Sequence, residues 1–184
     1  NTATTNSISY LRQNYKIPFI GIEPAIKPAA LNTKTGKIGV LATKGTLGSN
    51  LFEKTSTLHG QNIEIIEKQV NGLVELIEKG IFSGSKIDIL LEKYITPMIN
   101  IGIDKLVLGC THYPLVINSI EKITKKTIEV LECSHSVALQ TKKILCSLNL
   151  ENTEKTEIKN IFYTNGNDNI LKAMLDEKFE IFKI

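Results

Sequence analysis

The sequence predicts an α/β fold built on parallel sheets, and three observations predict it. Ile38-Gly39-Val40-Leu41-Ala42, and Ile103 with Leu106-Val107-Leu108, are short apolar runs of the kind that strands buried on both faces require. Between such runs, apolar residues recur at helical spacing, so strands and helices alternate through the whole chain. At the end of the second run, Gly109 lets the chain turn, and Pro114 fits a first helical position, where its missing N–H costs nothing.

The elements follow in order. Asn1 to Tyr15 reads as a loop running into a helix, with Ile8, Leu11 and Tyr15 on one face. Pro18 to Ile22 reads as a short apolar strand. Pro24 and Pro28 mark an irregular stretch or a short, interrupted helix, and 34–37 a polar turn. Ile38 to Ala42 is a buried strand ending in Thr43-Lys44-Gly45-Thr46, and a helix of about ten residues follows. Ile63, Ile65 and Ile66 suggest a strand. Gly72 to Lys79 is helical, with Leu73, Leu76 and Ile77 aligned. Phe82-Ser83-Gly84-Ser85 is a turn with a potential serine N-cap, and the helix after it runs to about Ile99, broken or bent near Pro97. The central strand and the Pro114 helix come next, then a strand at 128–131 and an amphipathic helix over 134–148 with Val137, Leu139, Ile144 and Leu145 apolar. Residues 149–156 read as an exposed loop. Ile158, Ile161 and Phe162 form a strand ending at Thr164-Asn165-Gly166. A helix through Ile170, Leu171, Met174 and Leu175 and an edge strand over 179–184 complete the chain.

Composition narrows the function classes. With 184 residues the chain can bury a real core as one large or two small domains. A net charge of +3, with Arg12 the only arginine, leaves no basic stripe for nucleic acid. No run of 18 apolar residues is present to span a membrane. Three unpatterned cysteines indicate a reducing compartment rather than a disulfide framework. Neither a metal-ligand spacing nor a Walker or dinucleotide glycine signature is found.

The chemistry concentrates at Cys110-Thr111-His112-Tyr113, where a thiol, a hydroxyl, an imidazole and a phenol follow the end of the central strand. Ligands of open α/β sheets bind at that edge. A thiol is a compact proton donor and its thiolate a competent base, with a reference pKa of ~8.5 within reach of neutral pH. Cys146 lies within a helical pattern and reads as core filler. Cys133 lies near a strand end, a position that could bring it close to the cleft, but it has no such company and is not taken as a site residue, and His59 and His135 read as surface residues.

Leu108-Gly109-Cys110-Thr111-His112-Tyr113-Pro114-Leu115 resembles the second active-site motif of the glutamate racemases, in the aspartate/glutamate racemase superfamily. The first motif of that family is a Cys followed by Asn-Thr-Ala, and this sequence opens Asn1-Thr2-Ala3-Thr4, as a fragment beginning one residue after that cysteine would. The resemblance covers essentially the whole chain. It implies two Rossmann-like, parallel-sheet domains with the active site in the cleft between them. Residues 23–132 would be the continuous second domain, and 1–22 with 133–184 the remainder of an incomplete first domain. It implies cofactor-independent interconversion of L- and D-glutamate, with Cys110 one base and the unseen cysteine the other, providing D-glutamate for bacterial peptidoglycan. His112 would assist the thiol or contact substrate, and Glu78 would orient and polarise His112. Asn1, Thr2, Thr43, Thr46, Thr111 and His112 would bind the amino acid, offering donors where anions are favoured. A cytoplasmic homodimer is expected, with no membrane or nucleic-acid partner, and the 184 residues alone are expected to be inactive. The alternatives are an aspartate-specific racemase and a non-catalytic amino-acid-binding or regulatory relative. Val70-Asn71, Glu132-Cys133-Ser134 and Ala25 depart from the family pattern, which bears on helix entry and assembly rather than on the named residues.

Overall fold

The computed structural model describes residues 1–60, 62–152, 160–175 and 179–184. Two helices, α1 (Thr2–Asn14) and α2 (Ile26–Asn32), precede strand β1 (Lys37–Ala42). The chain continues through α3 (Lys44–Leu47), α4 (Asn50–His59), β2 (Glu64–Gln69), α5 (Leu73–Ile77) and α6 (Ser85–Ile101) to β3 (Lys105–Gly109). A 3₁₀ turn (Tyr113–Val116), α7 (Ile117–Thr124), β4 (Glu129–Leu131) and α8 (Ser134–Ser147) follow. Then come β5 (Ile161–Thr164), α9 (Asp168–Met174) and β6 (Glu180–Lys183).

Four strands form one sheet in the order β2-β1-β3-β4, and all three pairings are parallel. Side-chain alternation along β1 and β3 divides the core into two layers. Leu41, Leu106 and Leu108 pack with Leu73 and Ile77 of α5, Ile87, Leu91, Ile95 and Met98 of α6, and Ile120 of α7. On the other face Ile38, Val40, Ala42 and Val107 pack with Ile26 and Ala29 of α2 and Phe52 of α4. Helices on both faces are what the unbroken apolar runs of β1 and β3 require. The edge strand β2 carries Glu64, Glu67, Lys68 and Gln69 and is largely exposed, a charge pattern that discourages further pairing. β5 and β6 pair in parallel as a separate two-stranded sheet, with Tyr163 stacked on Phe182 at 5.7 Å.

Several expectations are corrected. The chain through Pro18 to Ile22 is not a strand. Side chains of α1 occupy its backbone instead: Arg12 Nη2 donates to the Phe19 carbonyl at 3.0 Å, and Ile22 N–H donates to Thr4 Oγ1 at 3.1 Å. α1 covers Thr2–Asn14, so the first residues expected as a loop are helical. Neither Ser83 nor Ser85 caps α6. The cap position is Gly84 at φ 99°, a left-handed conformation that favours glycine. α6 runs unbroken through Pro97, held by the burial of Ile95 and Met98 on either side. α8 forms over the expected residues but buries none of them, and Leu139 is 55% exposed. Cys146 is exposed rather than core, with its thiol donating to Glu151 Oε1 at 2.9 Å. Ile158 and the end of the 149–156 loop lie outside the described residues.

Tyr113 is fully buried, and its hydroxyl has no hydrogen-bond partner. Burial, and then the charges of Cys110 and Glu75, push the phenol above its ordinary range. An unsatisfied buried donor costs about 1–3 kcal/mol. Tyr113→Phe keeps the ring and removes that cost, so stability in urea is expected to hold or to rise by up to about 1 kcal/mol. A loss larger than that would mean that another group satisfies the hydroxyl.

Candidate active site

The site is set by strand register. Ala42 of β1 lies opposite Gly109 of β3, so Thr43 and Cys110 leave adjacent parallel strands side by side, at the carboxyl edge of the sheet. Gly109 has no room for a side chain. A Cβ there would stand 2.7 Å from Ala42 Cβ and 3.1 Å from the Leu41 carbonyl oxygen. Beyond it the backbone closes a turn, with Tyr113 N–H donating to the Cys110 carbonyl at 3.2 Å. That turn places Cys110 at the strand end, 7% exposed.

Three side chains form a line from that point. The Cys110 thiol lies 3.7 Å from His112 Nδ1, and His112 Nε2 lies 2.5 Å from Glu78 Oε1. An ionised carboxylate only accepts, so Nε2–H donates to Glu78, which leaves Nδ1 as the ring nitrogen that faces the sulfur. α5 supplies Glu78 at its C-terminal cap, in a region of chain buried through Leu73 and Ile77. Burial pushes the Cys110 thiol up, opposed in part by the backbone N–H groups of His112 and Tyr113, which are placed to stabilise a thiolate.

A second cluster is built from hydroxyls. Thr2 Oγ1 is 2.8 Å from Thr43 Oγ1 and 3.1 Å from Thr46 Oγ1, and the Thr43–Thr46 distance is 3.1 Å. Thr43 also caps α3, its Oγ1 accepting from Thr46 N–H at 3.3 Å. Asn1 stands at the start of α1 with a buried Oδ1 that lacks a hydrogen-bond partner. Thr111 stands exposed beside Cys110.

The structure thus brings Cys110, His112 and Glu78 together, and brings Thr2, Thr43 and Thr46 together. Sequence reasoning did not assign Cys133 to this neighbourhood. Its thiol donates to the Glu23 carbonyl at 2.6 Å, and burial followed by the charge of Glu132 raises it to about 11. A hollow of about 430 Å³ lined by Glu23, Ala25, Leu131, Cys133 and Gln140 opens beside it, and Cys110 is not among its walls. Only the position of Cys133 just past a strand signalled this placement. Among the described residues no helix is long and apolar enough to cross a membrane.

A parallel sheet sandwiched by helices, with a thiol, an imidazole, a carboxylate and grouped hydroxyls at its carboxyl edge, defines an α/β protein with a cluster of acid/base groups where such sheets bind ligands. The Asp/Glu/Hydantoin racemase family model matches residues 1–138, and the chain belongs to that family. It is 34% identical over 166 residues to a glutamate racemase of Herpetosiphon aurantiacus, an alignment covering 90% of this chain and 65% of that protein. With a glutamate racemase of Clostridium perfringens it shares 36% identity over 179 residues, covering 97% of this chain and 66% of the relative. The chain therefore spans just under two thirds of the length of these relatives. Among solved structures, Escherichia coli glutamate racemase in complex with L-glutamate and activator UDP-MurNAc-Ala superposes with a TM-score of 0.80 at 26% identity, covering 96% of this chain and 68% of that one.

Proposed function

We propose that the protein is a glutamate racemase that interconverts L- and D-glutamate by moving the Cα proton between two acid/base groups, without a cofactor. The observation that carries this reading is the buried Cys110 thiol at the carboxyl edge of β3, backed by His112 and Glu78, in a chain of a racemase family. Inversion at Cα needs a proton taken from one face and another delivered to the opposite face. Cys110 serves one face. The resemblance assigns the other to the cysteine of the family's first motif. His112 exchanges the proton with the thiol through Nδ1, and Glu78 holds the ring in the tautomer that can accept it.

Removing an α-proton leaves negative charge beside the α-carboxylate, so donors must be fixed in place before the reaction. Asn1, Thr111 and the backbone N–H groups after Cys110 serve that end of the substrate. The hydroxyls of Thr2, Thr43 and Thr46 receive the distal carboxylate. Residues 23–132 act as one racemase domain, and 1–22 with 133–184 belong to the other, with the substrate between them. The product supplies D-glutamate for peptidoglycan in the bacterial cytoplasm, and the working form is a homodimer.

The test is isotopic. Protein spanning the full length of the curated relatives is incubated in D₂O with L-glutamate, and in parallel with L-aspartate, with no added cofactor. The expected result is D-glutamate carrying deuterium at Cα, with aspartate inverted far more slowly. Efficient inversion of aspartate alone would make this an aspartate racemase. No exchange with either amino acid would leave a non-catalytic relative.

A further inference from the structure

We infer that Asn6 is a positioning residue that latches the Thr43–Thr46 segment onto the first turn of α1, and that it holds there whether or not a ligand occupies the hydroxyl cluster. The loop and α1 come from distant stretches of sequence and meet at Gly45. A Cβ at that glycine would stand 2.6 Å from Thr2 Cγ2, so the loop backbone lies directly on the Thr2 side chain. Above this contact the Thr2, Thr43 and Thr46 hydroxyls are mutually within hydrogen-bond distance.

Three hydroxyls carry three protons, and a closed ring of mutual hydrogen bonds uses all of them. An arriving carboxylate has only acceptors to offer. It is bound when those protons turn away from the ring, and at that moment the hydroxyl link between the loop and α1 is lost. Asn6 supplies a link that the ligand does not disturb. Its Nδ2 lies 2.7 Å from the Thr2 carbonyl oxygen and 3.2 Å from the Gly45 carbonyl oxygen, and its two hydrogens serve both acceptors at once. Thr5 Oγ1, at 3.3 Å, is a third neighbour of the same nitrogen. Asparagine is a weak helix former, and α1 carries it at an exposed position of its opening turns. The latch rests on the proposed function in one respect only, that the ligand of the hydroxyls is a carboxylate.

Amide hydrogen exchange on this chain tests the latch directly. Asn6→Asp keeps the shape and removes the donor, whereas Asn6→Gln keeps the amide. In Asn6→Asp the amides of 44–48 are expected to exchange about threefold to tenfold faster, the loss of one modest hydrogen bond. Asn6→Gln is expected to return them to within about twofold of the parent, with segments across β1 and β3 unchanged in both variants. Unchanged loop exchange in Asn6→Asp, or equal acceleration in Asn6→Gln, overturns the latch. Where Asn6→Asp also loosens the strands, Asn6→Ala is read in its place by the same criteria. In protein of full racemase length, Asn6→Asp is expected to raise KM for glutamate about fivefold with kcat within about twofold, and a fall in kcat at constant KM contradicts the inference. Absence of turnover in the parent would count against the racemase reading, while the exchange comparison would still decide the latch.

Discussion

Cys110→Ala is expected to leave full-length protein without measurable glutamate inversion, a loss of at least about 10³-fold. The argument is positional. Cys110 is the buried thiol at the strand edge, it faces His112 Nδ1 at 3.7 Å, and the backbone N–H groups of His112 and Tyr113 surround it. Alanine removes the thiol to which the proposed mechanism assigns one face of the substrate, and it removes little volume, so folding is expected to survive. Circular dichroism of the variant checks that point, and normal turnover in a folded variant would remove the assignment. The pH dependence of the parent follows from the same surroundings. Burial raises the thiol, so in the resting protein it is protonated at neutral pH and ionises only above the ordinary thiol range. In the proposed two-base mechanism one thiol is protonated while its partner is ionised, so loss of the Cys110 proton ends turnover, and the raised thiol is expected to place the alkaline fall of kcat/KM above the ordinary thiol range. D- and L-glutamate are equally stable, so the same profile is expected from either enantiomer. An alkaline fall that begins below the ordinary thiol range would contradict the environment described for the sulfur.

The second large effect is expected at Gly109. Valine there would drive its Cβ against Ala42 Cβ and the Leu41 carbonyl, both parts of the neighbouring strand. Neither atom belongs to the far end of a flexible side chain, so β1 and β3 must separate locally. Overpacking of this kind costs about 1–3 kcal/mol, which urea unfolding would register as a lower midpoint at unchanged slope. The displacement also moves the residue that follows, Cys110, so inversion is expected to fall further than stability alone explains. A variant as stable as the parent would mean that the two strands are not held at the observed spacing.

What was legible beforehand follows physical lines. β1 and β3 were readable because strands covered on both faces leave unbroken apolar runs, and the burial of Ile38, Val40, Leu41, Leu106 and Val107 agrees. Residues 18–22 have the same apolar character without the same outcome. Composition does not report that Arg12 and Thr4 take up the backbone groups a strand would pair. Gly84 in place of a serine cap, and the passage of α6 through Pro97, were decided by backbone conformation and packing that local propensity does not contain. At the site, Cys110 and His112 could be seen together because they are two residues apart. Glu78 lies 34 positions from His112, and Thr2 lies 41 from Thr43. Only the family resemblance pointed to those residues, and nothing in the residue pattern placed them together. Asn6 gave no signal at all, since the Thr2 and Gly45 groups it meets are main-chain carbonyls.

The open side of α8 has a practical consequence. A helix of 14 residues that buries none of them, continued by exposed Leu148 and Leu150, presents a greasy stripe to water. Preparations of these 184 residues should therefore clump as they are concentrated, and a dilution series in the ultracentrifuge would show masses that drift with loading. Such drift reports stickiness, and it has to be told apart from the fixed mass of a specific pair before any stoichiometry is assigned.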